Sequence, residues 1–80
     1  MKFAELPSPF ASKGDRLWGA TVRDRYTFVI GFVPEIGYTA SWKDAHDPKP
    51  KQASVIVDGA PSYVQAERAC REQEKRLRPN

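Results

Sequence analysis

Asp44, His46 and Asp47 stand close together in one short segment, a carboxylate, imidazole and carboxylate of the kind that can hold a hard or borderline divalent ion. A metal centre also needs ligands from a second segment and neighbours that orient them. Asp and His between prolines are equally ordinary loop composition, so His46 reads as solvated and no metal or other cofactor is expected. Cys70 with His46 is the one candidate pair of nucleophile and base. A reactive thiolate calls for a helix N-terminus or cationic neighbours, however, and Cys70 falls in the middle of an amphipathic stretch on its apolar side. Packing is its expected role. Glu67, Glu72 and Glu74 each have a basic residue within one helical turn and read as a solvated face. The glycines at 14, 19, 31, 37 and 59 are scattered, without the spacing of a phosphate-cradling loop. No catalytic constellation results, and the expectation is a protein that is not an enzyme.

The more pronounced pattern is cationic. Arg68, Arg71, Lys75 and Arg78 recur at helical spacing and make one basic stripe, to which Lys49 and Lys51 would add if their loop lies nearby. Such a stripe suits phosphates or an acidic protein surface. Glu67 with Arg71 and Glu74 with Arg78 are favourable pairs four residues apart that would partly neutralise it. A net charge of +3 over 80 residues is well short of a dedicated nucleic-acid arm. Tyr26, Phe28, Phe32, Tyr38 and Trp42 could stack on unpaired bases, but no Lys or Arg interleaves with them between Tyr26 and Val33.

The elements that must position these residues change character at Gly59-Ala60-Pro61. Before it the apolar residues alternate as in strands; after it they recur with helical period. Residues 1–15, rich in Pro and Ser, read as an extended arm with Phe3, Leu6 and Phe10 as anchors, and residues 16–80 as one sheet-plus-helix domain. Arg16 to Val33 holds two strands joined by a tight turn at Arg23-Asp24-Arg25, although that turn lacks the Gly or Asn such turns favour. Pro34-Glu35-Ile36-Gly37 closes the next hairpin, with proline setting φ early and glycine free to take a positive φ late. Tyr38, Ala40 and Trp42 alternate with Thr39, Ser41 and Lys43. Pro48 and Pro50 exclude a central strand in the following connection. Ala53 to Asp58 is a further strand, with Val55 and Val57 on one side and Ile56 on the other.

Ser62 with Gln65 three residues on forms a helix start, and Tyr63, Ala66, Ala69, Cys70 and Leu77 share one arc of that helix, which Pro79 stops. The expected fold class is α+β: a small antiparallel sheet of three to four strands, in β-β-β-β-α order, with one C-terminal helix on one face. Residues 59–70 resemble the last strand-to-helix junction of double-stranded-RNA-binding domains. The resemblance implies a capped helix laid on a sheet. That family's paired lysines at the helix start are replaced here by Tyr63 and Val64, and its first helix has no counterpart in the Pro-containing N-terminus.

One helix covers one face, yet the strand Tyr26 to Val33 is apolar on both. Either the N-terminal arm folds over the second face or another molecule does. The leading expectation is therefore a small protein-binding module, an inhibitor or adaptor that occludes a macromolecular partner. By analogy alone it is comparable to phage and mobile-element accessory proteins such as anti-CRISPR proteins. The candidate contacts are Val29, Val33 and Ile36 on the sheet with Arg68, Arg71 and Lys75 on the helix. The alternative is nucleic-acid binding through Arg68, Arg71, Lys75, Arg78, Lys49 and Lys51, and a homodimer through sheet edge or face is the third reading. A single cysteine and no run of membrane length or signal-peptide type lead to the expectation of a soluble, cytoplasmic protein with no membrane partner.

Overall fold

The computed structural model of the chain describes residues 1–47 and 53–78, so Pro48, Lys49, Pro50, Lys51 and Pro79 lie outside the described residues. Five strands, β1 (Ala4–Leu6), β2 (Arg16–Val22), β3 (Tyr26–Val33), β4 (Gly37–Asp44) and β5 (Ser54–Ala60), are followed by one helix, α1 (Tyr63–Arg76). The strands form one antiparallel sheet in chain order, so each pairs with its neighbour in sequence. The α+β class holds, with one strand more than expected. That strand comes from the N-terminal arm, where Ala4, Glu5 and Leu6 pair with Gly19, Trp18 and Leu17.

Strand alternation sorts the side chains. Tyr26, Phe28 and Ile30 of β3 are buried on one face, beside Ala20 of β2 and Ala40 of β4, and α1 lies over β3, β4 and β5 on that face. Ala66 and Cys70 have no exposed surface, and their small side chains let the helix axis approach the sheet. Trp18, Tyr38 and Tyr63 extend the core toward the helix start, with Trp18 and Tyr63 edge-to-face at 5.0 Å between ring centroids. Met1 and Phe3 pack against this same core. The arm therefore widens the sheet and helps cover the helix side; it does not cross the other face.

Local chemistry accounts for the boundaries. The Ser62 hydroxyl caps α1 by accepting the Gln65 backbone N–H at 3.3 Å. The reciprocal bond from the Gln65 side chain does not form among the described residues. Leu77 closes the helix, its N–H donating to the carbonyls of Gln73 and Glu74. The turn between β2 and β3 is tight as expected, but without glycine: Arg23 and Asp24 themselves take left-handed φ of 55° and 52°. The turn between β3 and β4 follows the Pro-to-Gly reading, with Ile36 N–H donating to Val33 C=O at 2.9 Å and Gly37 at φ 104°.

Two expectations need correction. β5 does not end at Asp58-Gly59 but continues through Ala60. Nor does it alternate cleanly: the register with β4 shifts around Ala40, so Ile56 and Val57 both pack on the core while Val55 is 63% exposed. A bulge inserts a residue without a partner and resets which side chains face inward, which strict period two cannot anticipate.

Candidate functional site

The face opposite α1 carries no element of the chain among the described residues. Across it, Leu6 of β1 lies against Gly19, whose missing Cβ would meet the Leu6 Cδ1 at 2.8 Å. Leu17 in β2 lies beside Gly31 in the same way. Val29 and Val33 of β3 share this side and are half-buried. Thr21, Thr27, Thr39 and Ser41 flank them, and Lys43 stands at one end. The Thr39 hydroxyl donates to Asp58 at 2.9 Å toward the β5 edge. The result is a flat, nearly uncharged surface with an apolar centre of Leu6, Leu17, Val29 and Val33. Ile36, 60% exposed, sits in the turn beyond it.

The expected contact residues do not form one surface. Val29 and Val33 point away from the helix, whereas Arg68, Arg71 and Lys75 stand on the outer side of α1, across the thickness of the domain. Arg71 donates to Glu67 at 3.2 Å. Arg78 leaves the stripe altogether, donating from Nε and an Nη to both carboxylate oxygens of Glu74 at 2.7 Å. Arg68 and Lys75 remain without an ion pair among the described residues. Lys49 and Lys51 lie outside the described residues. The aromatic residues considered for base stacking belong to the helix-covered face, where Phe28 has no exposed surface.

Glu74 also departs from expectation. It is not on a solvated face but buried, 7% exposed, with Arg23 at 3.6 Å as a second cation beside Arg78. The Arg78 hydrogen bonds hold its carboxyl below the ordinary value against the opposing effect of burial. This brings the β2–β3 turn, the end of α1 and the end of β4 into one charged cluster. Arg25 donates to both oxygens of Asp44, at 2.8 and 3.0 Å, and lies over the Tyr26 ring at 4.9 Å. Arg23 lies over the same ring at 5.4 Å. Beside them opens a cleft of about 260 Å³ lined by Arg23, Arg25, Tyr26 and Leu77. Of these four only Tyr26 was considered in sequence, as a base-stacking residue, and not with the arginines that flank it here. The one visible signal was a tight turn with arginine where glycine or asparagine belongs.

Asp44 is thereby a structural anion. The Arg25 hydrogen bonds, joined by the His46 backbone N–H at 2.9 Å, hold its carboxyl down at about 2 from an ordinary 3.8. A carboxyl depressed in the folded state favours folding above its ordinary value, and the contribution disappears as pH falls from the ordinary value toward the depressed one. Urea midpoints are therefore expected to fall between about pH 4 and pH 2, and to fall less in Asp44→Asn, which has no proton to take up. Equal slopes in the two proteins would contradict this role. Among the described residues no group of His, Cys, Asp and Glu is assembled that could hold a metal ion. Burial pushes the Cys70 thiol up to about 11, the environment of a packing residue.

No protein-family model matches the chain, and no curated protein or solved structure matches it at a significant level. Among the described residues no helix is long and apolar enough to cross a membrane.

Proposed function

We propose that the protein is a small non-catalytic binding module that seats a partner protein on the sheet face opposite α1 and acts by occluding the surface it covers, as an inhibitor or adaptor. The observation that carries this reading is the apolar centre formed by Leu6, Leu17, Val29 and Val33 on a face that no element covers among the described residues. Five strands about 4.8 Å apart and some seven residues long at about 3.3 Å each present on the order of 500 Å². The two partners together would then bury on the order of 1,000 Å², the lower bound of a specific interface. Near-neutrality lets a protein surface dock without stranding a charge. Two of the four stripe cations, Arg71 and Arg78, are engaged by glutamates, which ranks direct nucleic-acid binding second. The lone buried thiol of Cys70 supports a reducing, cytoplasmic setting.

Val29→Asp places a carboxylate at the centre of the face, at a position whose side chain the core does not use. Association with the partner recovered from the native host is expected to weaken about tenfold or more, while the thermal midpoint stays near that of the parent protein. Sedimentation of the purified chain shows whether that partner is a second copy. An unchanged association constant in both Val29→Asp and Val33→Asp would remove the sheet face from the proposal. Retardation of nucleic acid at low salt that is lost on replacing Arg68 and Lys75 by Glu would favour the second reading instead.

A further inference from the structure

We infer that the cleft bounded by Arg23, Arg25, Tyr26 and Leu77 is a receptor for a single carboxylate, the acidic side chain of a protein partner. The inference rests on the protein-binding reading but uses a different surface from the sheet face. Its first support is the state of Arg23. This residue holds a left-handed φ of 55° in a turn where a side-chain-bearing residue is disfavoured, so the backbone is strained to keep an arginine there. Among the described residues the Arg23 side chain makes no hydrogen bond, only an ion pair with Glu74 at 3.6 Å. Glu74 accepts its two short hydrogen bonds from Arg78 instead, both at 2.7 Å. The Arg23 guanidinium rests over the Tyr26 ring, and the side chain is 40% exposed.

Arg25 supplies the second wall. Its bidentate bond to Asp44 fixes the plane of its guanidinium and leaves one terminal nitrogen uncommitted. Leu77, also in the lining, suits the methylene groups of an aspartate or glutamate. At about 260 Å³ the cleft is small and open, with room for an acidic side chain. Local charge narrows the ligand further. In the ion pairs around the cleft three arginines, Arg23, Arg25 and Arg78, share two carboxylates, Asp44 and Glu74, one positive charge more than negative. A monoanionic carboxylate neutralises that surplus. A phosphate dianion would overshoot it, and a carboxylate's two coplanar oxygens fit an arginine fork.

The test needs no partner. The arginine Nε–H resonances of the whole protein are followed by NMR at constant ionic strength. The probes are N-acetyl-glutamate α-amide, which carries only the side-chain carboxylate, N-acetyl-glutamine α-amide as the neutral isostere, and inorganic phosphate. A saturable shift at Arg23 and Arg25 with the glutamate compound is expected, with a dissociation constant on the order of millimolar, and no saturation with the glutamine compound. Arg23→Gln should weaken it at least about fivefold. Arg23→Gly relieves the left-handed strain, so it should keep or raise the thermal midpoint while losing the response. Equal shifts at Arg68, Arg71 and Arg76, an equal response to the neutral isostere, or saturation by phosphate at about tenfold lower concentration would each overturn the assignment. So would a lowered thermal midpoint in Arg23→Gly, which would make Arg23 a structural residue. Val29→Asp should bind the probe normally, so loss of the sheet-face reading and loss of this one are separable results.

Discussion

Replacement of Phe28 by alanine is expected to remove about 3–5 kcal/mol of folding free energy, the largest effect of any single truncation in this domain. Phe28 has no exposed surface and packs at the centre of the sheet, stacked on Trp42 at 6.5 Å between centroids and belonging to the same core as Ala66 and Cys70. The helix meets the sheet here through alanine and cysteine, which have no length with which to fill the space a missing ring would leave. The cavity therefore persists, and its cost adds to the lost transfer energy. A chain of 80 residues has only about 4–12 kcal/mol of total stability at the usual value per residue, so the variant should be partly unfolded at 37 °C. Urea titration followed by tryptophan fluorescence measures the loss. Phe28→Leu should retain most of the stability, and an alanine variant within about 1 kcal/mol of the parent would show that the helix collapses onto the gap.

Gly37→Ala ranks second, with an expected loss of about 2–4 kcal/mol from two separate causes. Gly37 adopts φ 104°, which residues with a Cβ rarely enter. An added Cβ would also stand 2.8 Å from the Ala60 carbonyl oxygen, and that atom is backbone, unable to rotate aside. The β3–β4 turn and the end of β5 would have to separate, just where Ala60 pairs with Tyr38 and delivers the chain into α1. Two other glycines isolate the causes. Gly59→Ala carries a left-handed φ of 75° with its nearest atom at 3.5 Å, so it should show the conformational cost alone, about 1–2 kcal/mol. Gly19→Ala has no positive φ and meets only the mobile end of Leu6, so it should cost less than either of the others. Thermal or urea midpoints of the three variants test this order. Gly37→Ala falling level with Gly59→Ala would mean that the β5 backbone yields.

The hairpin from Tyr26 to Asp44 was legible because each of its signals is local. Alternation placed Tyr26, Phe28 and Ile30 on one side and Val29 and Val33 on the other, and Pro34 with Gly37 marked the turn. The start of α1 was legible for the same reason, since Ser62 satisfies an amide three residues away. Where the local signal was ambiguous the reading was incomplete. Ala4–Leu6 is three residues long, too short for a period to register, and becomes a strand only because β2 offers a partner. Glu74 belongs by periodicity to the same helix side as Cys70, but its charge reads as solvent-facing. Its burial is set by how α1 docks on the sheet, and the two hydrogen bonds from Arg78 make that burial tolerable.

By itself the sequence determined the α+β class, the place where sheet gives way to helix at Gly59-Ala60-Pro61, and a central strand apolar on both faces. Those properties follow from side-chain alternation, φ restrictions and capping, which act within a few residues. Tertiary structure alone decided that the arm extends the sheet beside β2 instead of crossing its second face, and that Val29 and Arg68 lie on opposite sides of the domain. It also decided that Arg23, Arg25, Tyr26 and Leu77 enclose a common cleft. These are relations between segments joined only through the folded core, and the core is set by the sum of burial over the whole chain, which no local pattern encodes.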